Sequence, residues 1–526
     1  MKKLLIALAM VVLTLTLLGA APAVRAATTA GFNPVYIEGF GPELLFNANW
    51  TAANQAKVQA EINHMASMGT GIVRVMIWIE SSGVISPPGN GSNRATFTDQ
   101  YYEMIANFPQ LIQMYQNANI KVDITFGNDW MSGGPSGQGY TKWWQTCWGN
   151  NSTGWNNFLT DSTLWVQGIV NSIEASPYAG AVLYYDIQNE LSSHWEPSGT
   201  YYSYSVWYCA QIYDWGNIPT AKKGISINTD YVNDLNYLFT WFNPSRPLKF
   251  IDFHAYPAST GDAQYNVNTT YNTLKGRIPS GWGCTVVCGE IGYNTTSESL
   301  EPTQNQLVIG MLNKAKTASM PYIMAWTFNS LQACPNSGGY AFSKEWFSDP
   351  WNHPKDVMGA WAANMNMCSN ADVETVSGGM PTGWTYGANY GPISGSSGGP
   401  STTDACTGSY YYRLNDNTVG DDIYTLTPWV SVPGGNRLYV NAFVRSSCEN
   451  VFLAFHEYDA NHNWLRFQAG PTIQTPGWLY YNYQRTCGGW SAPLLSNTRY
   501  ILLGACAHIS SSPGYLDTDC YSISNR

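Results

Sequence analysis

A chain of 526 residues, 44% hydrophobic and only 11% charged, exceeds what one ordinary core accommodates and should divide into about two domains. Its 35 acidic residues against 25 basic ones give a formal net charge of −10, which removes the electrostatic basis for nucleic-acid binding. The aromatic share is 14%, with 22 Trp and 35 Tyr; such side chains stack on the apolar faces of uncharged ligands, sugars first among them.

Residues 1–26 open with Met1-Lys2-Lys3, continue as an apolar run through Leu18, and finish in small residues around Ala21-Pro22-Ala23 and Ala26. This is the pattern of a Sec-type signal peptide, so the chain is expected to be secreted and extracellular, with no membrane span once the signal is removed. Eleven Cys in a secreted chain are permitted to form disulfides, and the odd count leaves at least one thiol free or bridging chains. There is no CxxC pair and no HExxH, and the seven His are scattered. No metal or other cofactor is therefore expected for catalysis.

From residue 31 to about 366, short β-like runs alternate with helical patterns. The runs are Pro34–Phe40, Gly71–Ile79, Lys121–Phe126, Val182–Asn189, Gly224–Asn228, Lys249–Tyr256, Thr285–Ile291 and Tyr322–Phe328. The helical patterns between them cover Ala52–Met68, Tyr101–Asn117, Thr163–Ala175, Tyr204–Tyr213, Tyr231–Phe242, Val267–Arg277, Gln304–Ala318 and Pro354–Ala363. Eight such repeats predict a (β/α)8 TIM barrel over residues 27–367. An open doubly wound sheet would announce itself with a Gly-rich phosphate turn after strand one, and Glu38-Gly39-Phe40-Gly41-Pro42 has no such pattern. Near Cys368 helical periodicity stops, and short alternating runs such as Leu438–Val444, Val451–Tyr458 and Tyr500–Ala505 predict an all-β sandwich over 368–526. The Gly/Ser-rich run 391–402 is read as an early loop of that domain.

In a barrel of this kind chemistry belongs at the C-terminal ends of the strands. Strand four ends in Asp186-Ile187-Gln188-Asn189-Glu190, strand six in His254-Ala255-Tyr256, and strand seven in Cys288-Gly289-Glu290. Alternation puts His254 and Tyr256 on one face of strand six. Retaining glycoside hydrolysis needs two carboxyl groups about 5 Å apart, and strands four and seven approach across a barrel mouth closely enough for Glu190 and Glu290 to meet that spacing.

Arg74 in Ile72-Val73-Arg74-Val75, Asn189-Glu190, His254-Ala255-Tyr256, Glu290 and Trp326 in Ala325-Trp326-Thr327 follow one another in the order seen in the clan A glycoside hydrolases. The chain resembles glycoside hydrolase family 5 most, with family 39 as a rival. By that resemblance Glu190 is the general acid/base, Glu290 the nucleophile, and Asn189 a donor to the sugar 2-hydroxyl. It also implies that Arg74 and Tyr256 hold Glu290 ionised and oriented, that His254 lies near Glu190, and that Trp326 floors the subsite where the bond breaks. Family 5 members carry a His near the end of strand three, where this chain reads Phe126-Gly127-Asn128-Asp129-Trp130; Asn128 or Asp129 substitutes, or the chain belongs to the clan but not to the family.

Long loops on the catalytic face often shape the cleft. Of Trp130, Trp143, Trp144, Trp148, Trp155 and Trp195, about half are expected to be packing, and Trp130 and Trp195 are taken as cleft candidates. In the second domain, Asn370 to Glu374, Gly383-Trp384 and Leu516 to Cys520 resemble the jelly-roll carbohydrate-binding modules of families 4, 9 and 22. That resemblance implies a structural calcium held by Glu374 and Asp519, and sugar platforms among Trp429, Trp464, Trp478, Tyr480 and Trp490. The leading expectation is a monomeric, secreted, retaining endo-β-glycanase acting on a β-1,4-linked polysaccharide such as cellulose, β-glucan or mannan. Its rivals are an exo-acting β-glycosidase of the family 39 kind and a non-catalytic carbohydrate-binding surface protein.

Overall fold

The computed structural model describes residues 28–34, 42–78, 84–89, 93–127, 143–190, 200–228, 235–295 and 298–328, together with Phe342, Val357, Met358, Trp361 and Asn364. Between 376 and 524 it describes the paired strands Val376–Ser377 and Met380–Pro381 and the strands named below, with residues 427–429, 432, 459–463 and 494–499. The expected signal peptide and the expected boundary at 367/368 lie outside these residues.

Eight parallel strands close into a barrel: β1 (Thr29–Phe32), β2 (Ile72–Trp78), β3 (Lys121–Gly127), β4 (Val182–Asp186), β5 (Lys223–Asn228), β6 (Phe250–Ala255), β7 (Thr285–Ile291) and β8 (Tyr322–Ala325). They neighbour one another in chain order, and β1 pairs with both β2 and β8 to complete the ring. The crossovers carry α1 (Ala52–Ser67), α2 (Asp99–Asn117), α3 (Trp143–Trp148), α4 (Ser152–Glu174), α5 (Thr200–Trp215), α6 (Leu235–Trp241), α7 (Val267–Arg277) and α8 (Glu301–Thr317). Of the expected last helix, Val357, Met358 and Trp361 are described, and they are helical and buried. No helix among the described residues is long and apolar enough to cross a membrane.

Strand one differs from expectation. The strand that joins the ring is Thr29–Phe32, with Pro34 already beyond it, and the rest of the expected run Pro34–Phe40 lies outside the described residues. The reason is close approach: a Cβ on Gly31 would stand 1.7 Å from the Ile72 carbonyl oxygen, so only glycine lets the first strand come near enough to β2 to close the ring. Strand four stops at Asp186, short of the expected Asn189, because residues 187–190 turn away to make contacts described below. The helix expected over Thr163–Ala175 begins eleven positions earlier, at Ser152, where the Asn151 side chain caps it by accepting from the Gly154 N–H at 2.8 Å.

Apolar residues of the strands' outer faces pack under the helices. Inside the barrel, Ile72, Tyr184, Phe250, Val287 and Met324 form a separate small cluster, with the Tyr184 and Phe250 rings stacked 4.5 Å apart. Four of these five come from the even-numbered strands, the layering expected of a barrel interior. Two residues further along β2, β4 and β6, on the same faces, stand Arg74, Asp186 and Asp252. The barrel thus changes from apolar to charged within one layer on the way to its C-terminal mouth.

The second domain is a β-sandwich of two antiparallel sheets. One contains β9 (Thr385–Ala388), β10 (Asp422–Leu426), β13 (Tyr500–His508), β11 (Asn450–Tyr458) and β12 (Trp464–Ile473) in that spatial order, with Val430–Ser431 pairing onto β13. The other orders Ser396–Pro400, Tyr410–Asp416, Gly514–Ser524, Arg437–Ser446 and Thr486–Pro493. Ser396–Pro400 lies within the run expected to be a loop; it is a strand, because its backbone pairs with Tyr410–Asp416 despite a sequence poor in strand formers.

Candidate active site

Arg74 stands in the middle of β2 with no solvent exposure. Its Nη1 donates to Glu290 Oε1, and its Nη2 donates to Asp186 Oδ2 and to Asn189 Oδ1, each at 2.8 Å. Its Nε lies 3.1 Å from Asp123 Oδ2 and 3.5 Å from Asp252 Oδ2. One cation therefore faces carboxylates from β3, β4, β6 and β7.

Glu290 is the second-last residue of β7, and its Oε2 accepts from the hydroxyl of Tyr256, one position beyond β6. Glu190 lies beyond β4 in a segment pinned on both sides. The Ile187 N–H donates to the Gly224 carbonyl at 3.0 Å, and the Asn189 N–H donates to the Phe126 carbonyl at 3.2 Å. The Glu190 N–H donates to Ser226 Oγ at 2.7 Å, while that hydroxyl donates to the Gln188 carbonyl at 3.0 Å. Glu190 itself has φ of 43°, a left-handed conformation that costs a side-chain-bearing residue about 1–2 kcal/mol and that these bonds hold in place.

His254, fully buried, bridges the two acids: its Nδ1 is 2.7 Å from Glu190 Oε1 and 3.4 Å from Glu290 Oε2. One oxygen of each glutamate and one His254 nitrogen all lie within 4.8 Å of one another. Three such groups could also hold a metal ion, but both Glu290 oxygens already accept from Arg74 and Tyr256, and Arg74 supplies the positive charge that an ion would bring.

The site's electrostatics follow from burial. The Glu290 carboxyl is raised above its ordinary value: burial pushes it up, His254 and Arg74 pull it back, Glu190 adds a further upward push and the Tyr256 bond opposes it. Arg74 and Tyr256, as donors to the charged form, act against the burial that raises it. For His254, burial acts downward, but Glu290 and the bond to Glu190 leave it raised overall. Burial lifts Asp252 to about 7 against the pull of His254 and Arg74, and lifts Asp123 well above the carboxylate range.

The structure thus brings Arg74, Asn189, Glu190, His254, Tyr256 and Glu290 to one place. Trp326 follows β8 directly, half-buried, its N–H donating to the Ile291 carbonyl at 2.9 Å. Asn128, Trp130, Trp195 and Glu374 lie outside the described residues, and Asp519 is placed only by its backbone, opposite Phe443. Trp144, Trp148 and Trp155 are buried against Phe158 on α3 and α4, and so fall in the share of these residues expected to be packing. Cys147, Cys209, Cys284 and Cys288 are free thiols, Cys288 buried beside Glu290.

Sequence reasoning did not single out Asp123, Asp186, Asp252, Ser226 or Asn33. A signal existed: three aspartates sit within otherwise apolar runs of fully buried strands, where an unpaired carboxylate would be prohibitively costly and a shared cation is implied. In the second domain, Trp429, Trp464 and Phe467 are 47%, 59% and 45% exposed. Around Trp429 stand Tyr458 and His462, each with ring centroid 4.6 Å away, and Trp464 Nε1 donates to His456 Nδ1 at 3.2 Å. Trp478 and Tyr480 lie outside the described residues, as does the side chain of Trp490.

The sequence matches no protein-family model and none of the curated proteins. Among solved structures, the chain is similar to a glycoside hydrolase family 5, subfamily 18, protein from Bifidobacterium longum subsp. longum, with 10% identity and a TM-score of 0.42, covering 64% of this chain and 78% of that one. It is similar to the endo-1,4-beta-mannanase of Rhizomucor miehei, with 15% identity and a TM-score of 0.38, covering 56% and 86%. A glucosidase from Croceicoccus marinus shows 10% identity and a TM-score of 0.39, covering 92% and 96%. A bacteriophage CBA120 tailspike domain, with 10% identity and a TM-score of 0.25, covers 31% of this chain, which in turn spans 22% of that protein. These values assign no activity.

Proposed function

We propose that the protein is a retaining glycoside hydrolase. The observation that carries this reading is the pair Glu190 and Glu290, with carboxyl oxygens within 4.8 Å of each other at the mouth of a (β/α)8 barrel. Retaining enzymes hold two carboxyl groups about 5 Å apart, whereas inverting ones leave several ångströms more for a water. More particularly, we propose a secreted endo-β-glycanase of the family 5 kind, acting on a β-1,4-linked polysaccharide, with residues 1–26 as signal peptide, 27–367 as catalytic domain and 368–526 as a carbohydrate-binding module.

In this mechanism Glu290 attacks the anomeric carbon while Glu190 protonates the leaving oxygen, and Glu190 then takes a proton from the water that releases the sugar. Arg74 and Tyr256 each grip one Glu290 oxygen and so limit its orientations. Arg74 also holds the oxygen of the Asn189 amide, so the nitrogen is the end of that amide that donates to the sugar 2-hydroxyl. His254 is a relay between the acids: once Glu290 is esterified its charge is gone, and Glu190 gives up its proton more readily.

Purified protein is expected to release sugar from cellulose, β-glucan or mannan, and Glu290→Ala and Glu190→Ala to lose at least about 10³-fold and 10²-fold, respectively. Equal background release by all three removes the reading. Products from a long oligomer separate endo from exo action, and a chelator is expected to leave turnover unchanged; loss on chelation would restore the metal alternative.

A further inference from the structure

Gly289 precedes Glu290 at a break in the sheet. On one side of it Phe253 of β6 faces Cys288, and on the other His254 faces Glu290, so β7 carries one residue more than its neighbour. Such a bulge interrupts the ladder and re-aims the next side chain. The groups it strips of ladder partners are buried and must be met elsewhere. Asp252 Oδ1 accepts the Gly289 N–H, and Asn33 Nδ2 donates to the Gly289 carbonyl at 2.9 Å and to the Ala325 carbonyl at 3.2 Å. Both side chains are fully buried. Asp252 packs so tightly that a Cβ on Gly289 would come within 1.9 Å of its Oδ2. That same oxygen accepts from the Tyr184 hydroxyl at 3.2 Å and lies 3.5 Å from Arg74 Nε and 4.0 Å from His254 Nε2.

We propose that Asp252 and Asn33 are positioning residues for Glu290, gripping the two peptide planes that flank Gly289 and so fixing the direction in which the Glu290 side chain leaves its strand. Glycine is the residue with the widest choice of φ and ψ, and bonds to its N–H and its C=O hold both rotations. Without them the carboxylate would swing by the ångström or so that separates a productive nucleophile from an idle one. Neither residue touches substrate, and the inference rests on Glu290 being the nucleophile.

The test uses the full chain and a 2-deoxy-2-fluoro glycoside bearing a good leaving group, with the covalent adduct on Glu290 followed by mass spectrometry. Asn33→Ala and Asp252→Ala, folded by circular dichroism, are expected to form adduct about 10- to 100-fold more slowly while apparent affinity for the glycoside changes less than about threefold. Asp252→Asn keeps an acceptor for the Gly289 N–H, and with Asp252 lifted to about 7 by burial the neutral amide is tolerated, so its loss is expected to be under about threefold. Should Asp252→Ala not fold, Asn33→Ala decides. A folded Asn33→Ala that labels at the wild-type rate, or an Asp252→Asn as slow as Asp252→Ala, overturns the proposal. A crystal structure of Asn33→Ala keeps this separate from the glycosidase reading: a Glu290 carboxylate unmoved from Tyr256 overturns the clamp whatever the activity. A moved one in a protein whose wild type is inert on sugars upholds the clamp and removes only the nucleophile.

Discussion

One guanidinium, that of Arg74, faces four buried carboxylates, and the balance of charge around it governs how the site titrates. Because Glu290 is raised by burial and by Glu190, the acid limb of kcat/KM is expected above the roughly 4.3 of a free glutamate. Glu190→Gln removes one of those upward pushes, so with an aryl glycoside that needs no acid the limb should move to lower pH; an unmoved or rising limb contradicts the assignment. Asp252 bears on stability. Its folded value of about 7 exceeds the unfolded one, so the folded state holds the extra proton between about 4 and 7, and stability falls as pH rises through that window. Asp252→Asn is expected to raise the melting temperature relative to wild type at pH 8 and to lose that advantage at pH 4, as thermal melts across that range would show. Truncating Arg74 to Ala leaves several buried carboxylates without their cation and should cost about 3–5 kcal/mol of stability in denaturant titrations.

At the scale of elements, the placement of Glu190 and Glu290 depends on how two strands end. β4 stops early because β3 and β5 take its next backbone groups, and Ser226 on β5 receives the Glu190 N–H. Ser226→Ala leaves that left-handed residue without its bond, at a cost of about 1–3 kcal/mol. Turnover should fall about tenfold on a glycoside with a poor leaving group and much less on an activated one, because only the former needs the acid held in place. Kinetics on the two substrates check this. Gly31 is the corresponding device for closure, and Gly31→Ala should block the β1–β2 pairing and abolish folding. The strand and helix pattern was readable because parallel strands buried on both faces are apolar runs and the crossovers keep a helical period. Where expectation failed, at strand one and at α4, a local propensity signal gave way to a close backbone approach or a capping bond that no composition window contains.

For the whole molecule, the low charge and the aromatic excess divide between two bodies. The buried Trp of α3 and α4 belong to the barrel's packing, whereas Trp429 and Trp464 stand in solvent on the sandwich. Replacing both with Ala is expected to weaken retention on insoluble polysaccharide several-fold, in a pull-down assay, while turnover of short soluble oligosaccharides stays unchanged. Equal retention would reduce the module to a spacer.

The barrel, the sandwich and the six polar residues from Arg74 to Glu290 are legible in the chain itself, since hydrophobic period and strand-end position are properties of neighbours in sequence. What the folded structure alone decides is which of the buried carboxylates share Arg74, and how Glu290 is aimed. Asn33, Asp252 and Gly289 stand far apart in the chain, and an aspartate within an apolar run acquires its meaning only when the closing of the ring sets a cation and an unpaired peptide N–H against it.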